Sequence, residues 1–446
     1  MNPKQAIKLL NKSIGFGLLL AVLLSACQTP RPVSQPAGAP PAASIPTPLP
    51  AAVTSEITGR VIDLDGNPID GAVVSSDTGS AQSDAQGWFI VPGSGTAQWL
   101  TVTHPAYISR TRAGAPGAPL LFRLTPDDGK TIVVHFVGDT MFGRRFFDPN
   151  EDGDTSDGLL PTTPTLSDHA ALLEPIQPLL ANADLTVINM ESPLSEQPYI
   201  SPRDTRPQAF HETKEFVFAS HPSSIPALQQ AGVDVISLGN NHMYDLLETG
   251  LNDTIQTLDT AGLPHFGAGA DETAAWQPAL ISVSGQTLAF IGCTTISAPV
   301  PPVSDHDVTY TASDRLNKGG AAECEASALS NAIQQARASS DTVIVMIHGG
   351  YEYDRSPSPR VAEFTALARQ AGADLIINHH PHVVGGLDWD GSTLAANSLG
   401  NFIFDQTIWP TFESYLLAVT IRDGEVIRVY AEPLGVVDYV SRGLAG

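Results

Sequence analysis

Histidine, asparagine and acidic side chains recur directly after short apolar runs in this sequence. The residues in these positions are Asp139, Glu191, Asn241, His242, His348, His380 and His382. Carboxylate and amide oxygens together with imidazole nitrogens suit divalent Mn, Fe or Zn, and an imidazole can also move a proton near neutral pH. These residue types predict a metal-dependent site that holds one or two ions, with His242 as the proton donor.

A repeated unit of helix, glycine, strand and polar loop is predicted to position these residues. Residues 225–232 are predicted to form a helix that stops at Gly232, before a buried strand that begins at Val235. The segment 370–382 repeats this pattern. Such alternation predicts an α/β fold, and we expect the loops to meet at one edge of one sheet. His379 is left out of the site, because neighbouring residues of an extended segment point in opposite directions.

Two further residues complete the predicted chemistry. Arg144 lies shortly after the strand that carries Asp139, and a guanidinium group there could contact an anionic substrate. Asp245 lies three residues after His242 and could orient its imidazole ring.

An acidic loop between residues 148 and 154 resembles the first half of an EF-type calcium loop. Its candidate ligands alternate along the chain and are Asp148, Asn150, Asp152 and Asp154. The twelfth position is Leu159 where such loops carry Glu. A weak calcium site and a plain solvated acidic loop both remain open.

The composition limits the classes of partner. The chain has 446 residues, is 42% hydrophobic and carries a formal net charge of −24. These values indicate a globular protein with a sizeable core, and they argue against nucleic acid as a partner. An anionic substrate would have to be held locally, by a metal ion or by arginine.

The first 55 residues are predicted to be a targeting segment and a tether. Three lysines precede an apolar run over 14–26, and Leu24-Ser-Ala-Cys27 resembles a bacterial lipobox. We expect residues 1–26 to be a lipoprotein signal peptide and Cys27 to be lipidated, which would give an exported, membrane-anchored protein. A plain signal cleavage site with an incidental cysteine is the alternative. The Pro- and Ala-rich stretch 27–55 is predicted to be an extended linker.

Residues 56–128 are predicted to form a small all-β, immunoglobulin-like sandwich, because short alternating runs are separated by Gly and Asp turns. The stretches GRVIDLDGNPIDGAVV, SDAQGWFIV and LTVTHPAYISR resemble carboxypeptidase-regulatory-like modules. This resemblance implies a spacer or a carbohydrate-wall contact module without catalytic residues. The following domain is predicted for residues 131–440. Whether its cysteines, Cys293 and Cys324, form a disulfide bond remains undecided from the sequence.

Six ordered motifs carry a second resemblance: GDTMFGRR, NMESPLS, GNNHMYD, HGGYEY, GADLIINHHPHVV and SLGNFIFDQ. Together they resemble CapA-type capsule poly-γ-glutamate synthesis proteins, a family similar in fold to calcineurin-like metallophosphatases. The resemblance implies a layered αββα sandwich with a two-metal centre. By this likeness Asp139 and His382 bind the first metal, Glu191 bridges, and His242 is the general acid. The second metal would be held by Asn241, His348 and His380.

The sequence departs from the phosphatase pattern at Met141, where those enzymes carry a histidine ligand. Because the first metal would lose a ligand, this residue predicts an asymmetric two-metal centre or a centre with a single ion. The leading hypothesis is a surface-anchored protein that acts in synthesis or export of an anionic capsular polymer with membrane-bound partners, through a site that hydrolyses a phosphoester or a γ-glutamyl amide. The alternatives are a non-catalytic scaffold that binds an anionic polymer or a membrane partner, and a generic exported metallophosphoesterase that acts on a small anionic substrate.

Overall fold

The computed structural model describes residues 56–298 and 309–445, and their first part is a β-sandwich. Its strands are β1 (Glu56–Ile62), β2 (Val73–Ser76), β3 (Gly79–Gln82), β4 (Trp88–Pro92), β5 (Gln98–His104), β6 (Tyr107–Gly114) and β7 (Leu120–Arg123). They form two sheets, with strand orders β4-β1-β7 and β3-β2-β5-β6. Alternating buried side chains, among them Phe89 and Phe122, form the core. The predicted all-β region is therefore confirmed, whereas the signal segment, Cys27 and the linker lie outside the described residues.

The sandwich packs tightly against the rest of the chain. The indole Nε1 of Trp99 donates a hydrogen bond to the carbonyl of Pro175 at 2.7 Å. Arg112 and Glu432 form a salt bridge of 3.1 Å across the same interface. These contacts fix the module on its neighbour. The spacer or wall-contact role implied by its resemblance stays a prediction, but the described module is not a freely hinged spacer.

The second part of the chain is α/β. Its strands are β8 (Ile132–Thr140), β9 (Leu185–Met190), β10 (Val235–Ser237), β11 (His265–Phe266), β12 (Ala268–Gly269), β13 (Ala279–Val283), β14 (Gln286–Thr294), β15 (Gly320–Ala321), β16 (Thr342–His348), β17 (Leu375–His379), β18 (Leu387–Trp389), β19 (Leu394–Ala396), β20 (Asn401–Ile403), β21 (Glu413–Arg422), β22 (Glu425–Val437) and β23 (Val440–Gly443). Its α-helices are α1 (Leu166–Leu173), α2 (Gln177–Leu180), α3 (Ser224–Ala231), α4 (Leu247–Ala261), α5 (Glu272–Ala275), α6 (Ala326–Arg337) and α7 (Pro359–Ala371). Short 3₁₀ helices span Arg144–Phe146, Asp314–Leu316 and Trp409–Phe412.

Two large sheets form the centre of this domain. One has eight strands in the order β11-β10-β9-β8-β20-β23-β22-β21, and the other has six in the order β13-β14-β16-β17-β19-β18. Their facing sides share one apolar core, which includes Phe136 and Val187 from the first sheet and Ile344 and Ile377 from the second. Helices α1 to α4 cover the outer side of the first sheet, and α6 and α7 cover the second. The described chain thus confirms the αββα fold.

The expectation of one sheet edge is wrong. Strands β8, β9 and β10 belong to the eight-stranded sheet, whereas β16 and β17 belong to the other. Each repeated unit was recognised correctly, because helix α3 ends at Gly232 with φ 104° and strand β10 follows. Hydrophobic runs show that a strand is buried on both faces, but they do not show which strands pair. The site therefore lies where the carboxyl ends of two sheets meet.

Close backbone contact places Asp139 at this edge. A Cβ atom on Gly138 would lie 2.0 Å from the carbonyl oxygen of Gly400, so only glycine permits this approach of β8 and β20.

Cys293 in β14 and Cys324 after β15 form a disulfide bond, with a Cα–Cα distance of 5.1 Å, which settles the pairing that the sequence left open. Within the described ranges, no helix combines the length and apolar character needed to cross a membrane.

Candidate metal centre

The structure brings the predicted ligands together between the two sheets. Glu191 follows β9 and lies at the centre, and two donor groups share it. One group contains Glu191, His348 and His380, and the other contains Asp139, Glu191 and His382. Within each group the donor atoms lie within 4.8 Å of one another, and all of these side chains are buried. Among the described residues, only these two groups of acidic, histidine or cysteine side chains reach that spacing.

The group on the side of β16 has a fourth possible donor. His348 Nε2 lies 2.8 Å from Asn241 Oδ1 and 3.4 Å from Glu191 Oε1. His380 packs edge-on against His348, with ring centroids 4.9 Å apart, and its Nδ1 has no hydrogen-bond partner in the described chain. Two imidazoles, a carboxylate and an amide oxygen form a donor set that suits Mn, Fe or Zn. This arrangement matches the set predicted for the second metal.

The group on the side of β8 is held differently. His382 Nδ1 lies 3.2 Å from Asp139 Oδ2 and 2.9 Å from Asn401 Oδ1. Asp139 Oδ1 also accepts a hydrogen bond from Asn189 Nδ2 at 2.8 Å. His379 Nδ1 lies 3.1 Å from the same oxygen, so His379 contacts Asp139 although it belongs to neither donor group. The alternation of an extended strand ends at His379, since His380 adopts φ 96° and turns back toward the site.

Glu191 provides the test of whether these residues fit a metal. Its carboxylate is fully buried, and neither oxygen has a hydrogen-bond donor in the described part of the chain. Burial, reinforced by the charge of Asp139, raises the pKa of Glu191 well above its ordinary value. An unpaired buried carboxylate is strongly unfavourable, and a divalent cation between Asp139, Glu191 and the histidines would remove that penalty. The residues present therefore fit a divalent metal.

The metal-free centre has unusual proton affinities. Burial lowers the pKa of His348 to about 3, and it also lowers the pKa of His380. Burial opposes the charge of His382, but Glu191 and Asp139 outweigh it and raise the pKa of His382 to about 9. Neutral His348 and His380 keep a nitrogen lone pair available, as metal ligation requires.

An apolar wall closes one side of the centre. Met141, Phe218 and Phe404 form a buried cluster, and the ring of Phe404 packs 4.6 Å from that of His382. The sulfur of Met141 accepts a hydrogen bond from the backbone N–H of Gly143 at 2.7 Å. Met141 therefore lies in this wall as a packing residue. Each group has three members, but Asp139 and His382 already contact Asn189, His379 and Asn401, whereas His380 Nδ1 in the other group has no hydrogen-bond partner in the described chain.

His242 and Asp245 form the predicted pair. His242 Nδ1 lies 2.7 Å from Asp245 Oδ2, and its Nε2 faces Glu191 Oε1 at 3.8 Å. Lys214 also joins the pair, because its Nζ lies 2.6 Å from Asp245 Oδ1. Burial lowers the pKa of His242 well below its ordinary value, and the charge of Lys214 lowers it further. Burial raises the pKa of Asp245 to about 6, although Lys214 opposes this shift.

Arg144 lies at the predicted place but its charge is largely occupied. Its Nε donates to Asp405 Oδ2 at 3.0 Å, and a second guanidinium nitrogen contacts the other oxygen of Asp405. The guanidinium group also lies 4.4 Å over the ring of Phe218. Burial lowers the pKa of Arg144, but the charge of Asp405 more than compensates and raises it. Arg144 can still present one edge to a substrate, because its side chain is 22% exposed.

A cavity of about 540 Å³ opens above these residues. Asn241, His242 and His382 lie on the side of the metal centre, and Arg144, Arg145 and Lys214 supply positive charge. Two acidic residues, Glu215 and Glu352, also line it, and the remaining lining residues are mostly aromatic or polar, among them Phe216, Phe218, Tyr310, Tyr353, Gln406 and Thr407. A cavity of this size accommodates much more than a phosphate group.

The acidic loop stays apart from this centre. Asp148 accepts hydrogen bonds from the backbone of Asp152 and Gly153, and from the hydroxyl of Tyr199. Asp152 and Asp154 accept further hydrogen bonds from the backbone of the loop itself. Asn150 donates to Asp157. Three acidic ligand atoms do not come within 4.8 Å of one another in this described loop, so the structure gives no support to the calcium prediction.

Sequence reasoning gave no role to three polar residues of the centre. Asn189 was visible in the motif that contains Glu191, and Asp405 ends the last of the six motifs. Lys214 lies in a segment without strand or helix, 27 residues before Asn241, and no local pattern connects it with the site. Its role depends on tertiary contacts, which spacing alone does not reveal.

Known proteins resemble this chain in sequence. Residues 133–406 match the family model described as bacterial capsule synthesis protein PGA_cap. The capsule biosynthesis protein CapA of Bacillus anthracis is 27% identical over 335 residues, which cover 74% of this chain and 72% of that protein. The PGA biosynthesis protein CapA of Bacillus subtilis (strain 168) is 26% identical over 310 residues, 68% of this chain and 72% of that protein.

Among solved structures, the calcineurin-like phosphoesterase YfkN from Bacillus subtilis aligns with 70% of this chain and 93% of its own, at 15% identity and a TM-score of 0.39. Because this score lies below 0.5, the fold assignment depends on the layers described above. The family match covers more than half of the sequence and spans every residue of the two donor groups. The chain belongs to the bacterial capsule synthesis protein PGA_cap family.

Proposed function

We propose that this chain is an exported, membrane-anchored protein that acts in synthesis or export of a poly-γ-glutamate type capsular polymer and hydrolyses a phosphoester or γ-glutamyl amide bond. Family membership and the printed names of its relatives support the role in capsule synthesis. The single observation that supports catalysis is the buried carboxylate of Glu191, which has no hydrogen-bond partner in the described chain and is shared by two donor groups.

Export and membrane anchoring are proposed from features of the N-terminal sequence and from one disulfide bond. Leu24-Ser-Ala-Cys27 would direct lipidation of Cys27, and residues 28–55 would link the anchor to the sandwich. The bond between Cys293 and Cys324 supports this location, because such bonds persist mainly outside the reducing cytosol. Membrane-bound enzymes of polymer synthesis would then be the partners.

The donor groups would hold one or two ions of Mn, Fe or Zn. A bound ion of this kind supplies a nucleophilic water and polarises the oxygen of the scissile group. The protein itself holds and moves the proton that the leaving group requires. His242 Nε2 faces the centre at 3.8 Å from Glu191 Oε1, and Asp245 holds the opposite ring nitrogen. We propose that His242 donates this proton and that Asp245 keeps its ring in place.

The substrate would lie in the cavity of about 540 Å³. Arg144, Arg145 and Lys214 would attract an anionic group, although Asp405 and Asp245 already neutralise much of their charge. The exposed ring of Phe216 offers an apolar surface beside this positive edge. An anionic polymer segment therefore fits the cavity better than a free phosphate, which would contact only part of its lining.

The test is metal content and turnover of the purified full-length chain. Elemental analysis is expected to find one or two Mn, Fe or Zn ions, which His380→Ala loses. His265→Ala is the matched control, because His265 lies on the edge strand β11 and outside the donor groups. Turnover of a γ-glutamyl oligomer and of bis(4-nitrophenyl) phosphate is then measured with and without chelator. Hydrolysis of the phosphodiester alone would favour a generic phosphoesterase.

A non-catalytic scaffold is the second candidate. The apolar wall of Met141, Phe218 and Phe404 favours it, since this wall offers no oxygen or nitrogen donor beside Asp139 and His382. A chain that binds the anionic oligomer but contains no transition metal and turns over neither substrate would support this alternative. The same result would exclude the hydrolytic proposal.

A further inference from the structure

Lys214 is buried beside the candidate proton donor. Its side chain is 7% exposed, and all three of its nitrogen contacts fall on one short loop. Its Nζ lies 2.6 Å from Asp245 Oδ1, 2.7 Å from the carbonyl oxygen of Asn241 and 3.0 Å from His242 Nδ1. Lys214 donates hydrogen bonds to Asp245 and Asn241, whereas its contact with His242 is a hydrogen bond only when Nδ1 carries no hydrogen, because a protonated Nδ1 donates to Asp245 instead.

Asp245 connects Lys214 with His242. One carboxylate oxygen contacts Lys214, and the other lies 2.7 Å from His242 Nδ1. The second oxygen also accepts a hydrogen bond from the backbone N–H of Phe218 at 2.6 Å. Removal of Lys214 would therefore leave a buried carboxylate with fewer partners and more freedom to turn away from the imidazole.

The segment that carries Lys214 also covers the face of the imidazole. The ring of Phe218 stacks on His242, with a centroid distance of 3.7 Å and an interplanar angle of 14°. Lys214 and Asp245 thus hold the Nδ1 edge of the His242 imidazole, and the stacked ring of Phe218 holds the plane of that imidazole. The free edge, Nε2, then points toward Glu191. Few other directions remain open to this ring.

We infer that Lys214 is a positioning residue for His242, which acts by holding Asp245 and the loop 241–245 so that Nε2 of His242 faces the metal centre. The kinetic part of this inference rests on the proposed hydrolytic function. A lysine that only stabilised the fold would, when replaced, lower kcat by the same factor for every leaving group.

Lys318 is the matched control for a buried lysine. It is 1% exposed, its Nζ donates to the carbonyls of Thr311 and Gly319, and it lies 3.2 Å from the ring centroid of Tyr244. None of these contacts involves Asp245 or His242. Lys318→Met therefore removes a buried ammonium that contacts the same loop at Tyr244, and it controls for loss of packing on that loop while the partners of Asp245 stay in place.

The experiment compares Lys214→Met and Lys318→Met in the full-length, metal-loaded protein. Hydrolysis is measured for two phosphodiester probes, one that releases nitrophenolate and one that releases an alkoxide. Nitrophenolate leaves without protonation, whereas an alkoxide needs a general acid, whose usual effect is about 10²- to 10⁴-fold. Lys214→Met is expected to slow kcat for the alkoxide probe by roughly tenfold more than for the other. Lys318→Met is expected to affect both equally.

A second readout does not require turnover. The histidines are labelled with ¹⁵N, and the signal that disappears in His242→Gln is assigned to His242. Its Nδ1 shift is expected to change in Lys214→Met and to stay unchanged in Lys318→Met. An unchanged His242 signal in Lys214→Met would overturn the inference. If wild type holds metal but hydrolyses neither these probes nor a γ-glutamyl oligomer, the hydrolytic proposal fails while the spectrum still decides the role of Lys214.

A double variant is used in case Lys214→Met alone does not fold. Lys214→Met with Asp245→Asn removes both charges, so no unpaired ion is left buried. The amide of the new side chain can still accept a hydrogen bond from His242. The inference stands if this variant folds and differs from Asp245→Asn alone neither at His242 Nδ1 nor in its loss on the alkoxide probe, because Lys214 then acts through Asp245. Equal loss on both probes with an unchanged spectrum would overturn it.

Discussion

Glu191→Gln is expected to have opposite effects in the metal-free and the metal-loaded protein. The substitution keeps the shape of the side chain and removes its charge. In the chelated protein the native carboxylate is fully buried and lacks a hydrogen-bond partner in the described chain. A buried polar group without a partner costs about 1–3 kcal/mol, and more when it is charged. Glutamine is also a polar group without a partner here, so only the extra cost of the charge and its repulsion by Asp139 is removed. Metal-free Glu191→Gln is therefore expected to unfold with a free energy about 1 kcal/mol higher than wild type.

Added metal should reverse this order. A ligand that binds only the folded state stabilises it by about 2.7 kcal/mol when its concentration is 100 times its Kd. Wild type should gain this stabilisation because Glu191 belongs to both donor groups. Glu191→Gln should gain little, since an amide is a much weaker ligand than a carboxylate. The measurement is urea unfolding of both proteins, first in chelator and then in a titration of Mn²⁺ or Zn²⁺.

Glu432→Gln is the matched control. Glu432 is also a buried glutamate, 4% exposed, but its carboxylate accepts hydrogen bonds from Arg112 and from the backbone of Ala113. Its substitution should destabilise the protein by about 2 kcal/mol, equally with and without metal. If Glu191→Gln instead destabilises the chelated protein as Glu432→Gln does, Glu191 is satisfied without a metal ion and the reasoning from its unpaired oxygens is refuted.

Three further predictions concern other parts of the molecule. His380→Ala should remove more bound metal than His382→Ala, as measured by elemental analysis, because His380 Nδ1 has no hydrogen-bond partner in the described chain, whereas His382 Nδ1 already contacts Asp139 and Asn401. Reduction of the bond between Cys293 and Cys324 should lower the unfolding free energy by about 3–4 kcal/mol, because the bond closes a loop over a sequence separation of 31. A variant with both cysteines changed to serine should show the same loss and no response to reductant. Burial lowers the pKa of His135 from 6.5 to about 3, so the unfolded chain binds this proton more tightly and stability should fall as pH drops from 6.5 toward 3. His135→Phe should flatten that part of the pH profile of unfolding, which can be followed by circular dichroism.

The local elements of this fold could be predicted from the sequence because each carries its own signals. Gly232 and Gly372 end helices in the left-handed conformation, and the buried strands that follow them are uninterrupted apolar runs. The division into two sheets could not be predicted this way. A strand buried on both faces has the same pattern in either sheet, so only the family resemblance predicted the αββα layers.

The candidate site shows the same division between local and tertiary information. Asp139, Glu191 and His348 could be predicted because each lies at or just beyond the end of a strand, where α/β folds place functional groups. His379 was excluded on strand alternation, which the positive φ of His380 interrupts. Lys214 gave no signal because its partners lie 27 to 31 residues away in the sequence and meet it only in the folded chain.

The apolar wall decides how the two donor groups should differ. On the side of β16 there are four possible donors, namely His348, His380, the carboxylate of Glu191 and the amide oxygen of Asn241. Beside His382, the ring of Phe404 packs on the imidazole as part of the cluster with Met141 and Phe218, and the donor atoms of His382 and Asp139 are already in contact with Asn401, Asn189 and His379. Thioether sulfur is a poor ligand for divalent Mn or Zn, and the sulfur of Met141 is already hydrogen bonded. The ion beside His348 should therefore bind more tightly, and any ion beside Asp139 should exchange faster. A hydrolase with this asymmetry would depend mainly on one ion, and the protein groups around His242 would carry a correspondingly larger share of leaving-group activation.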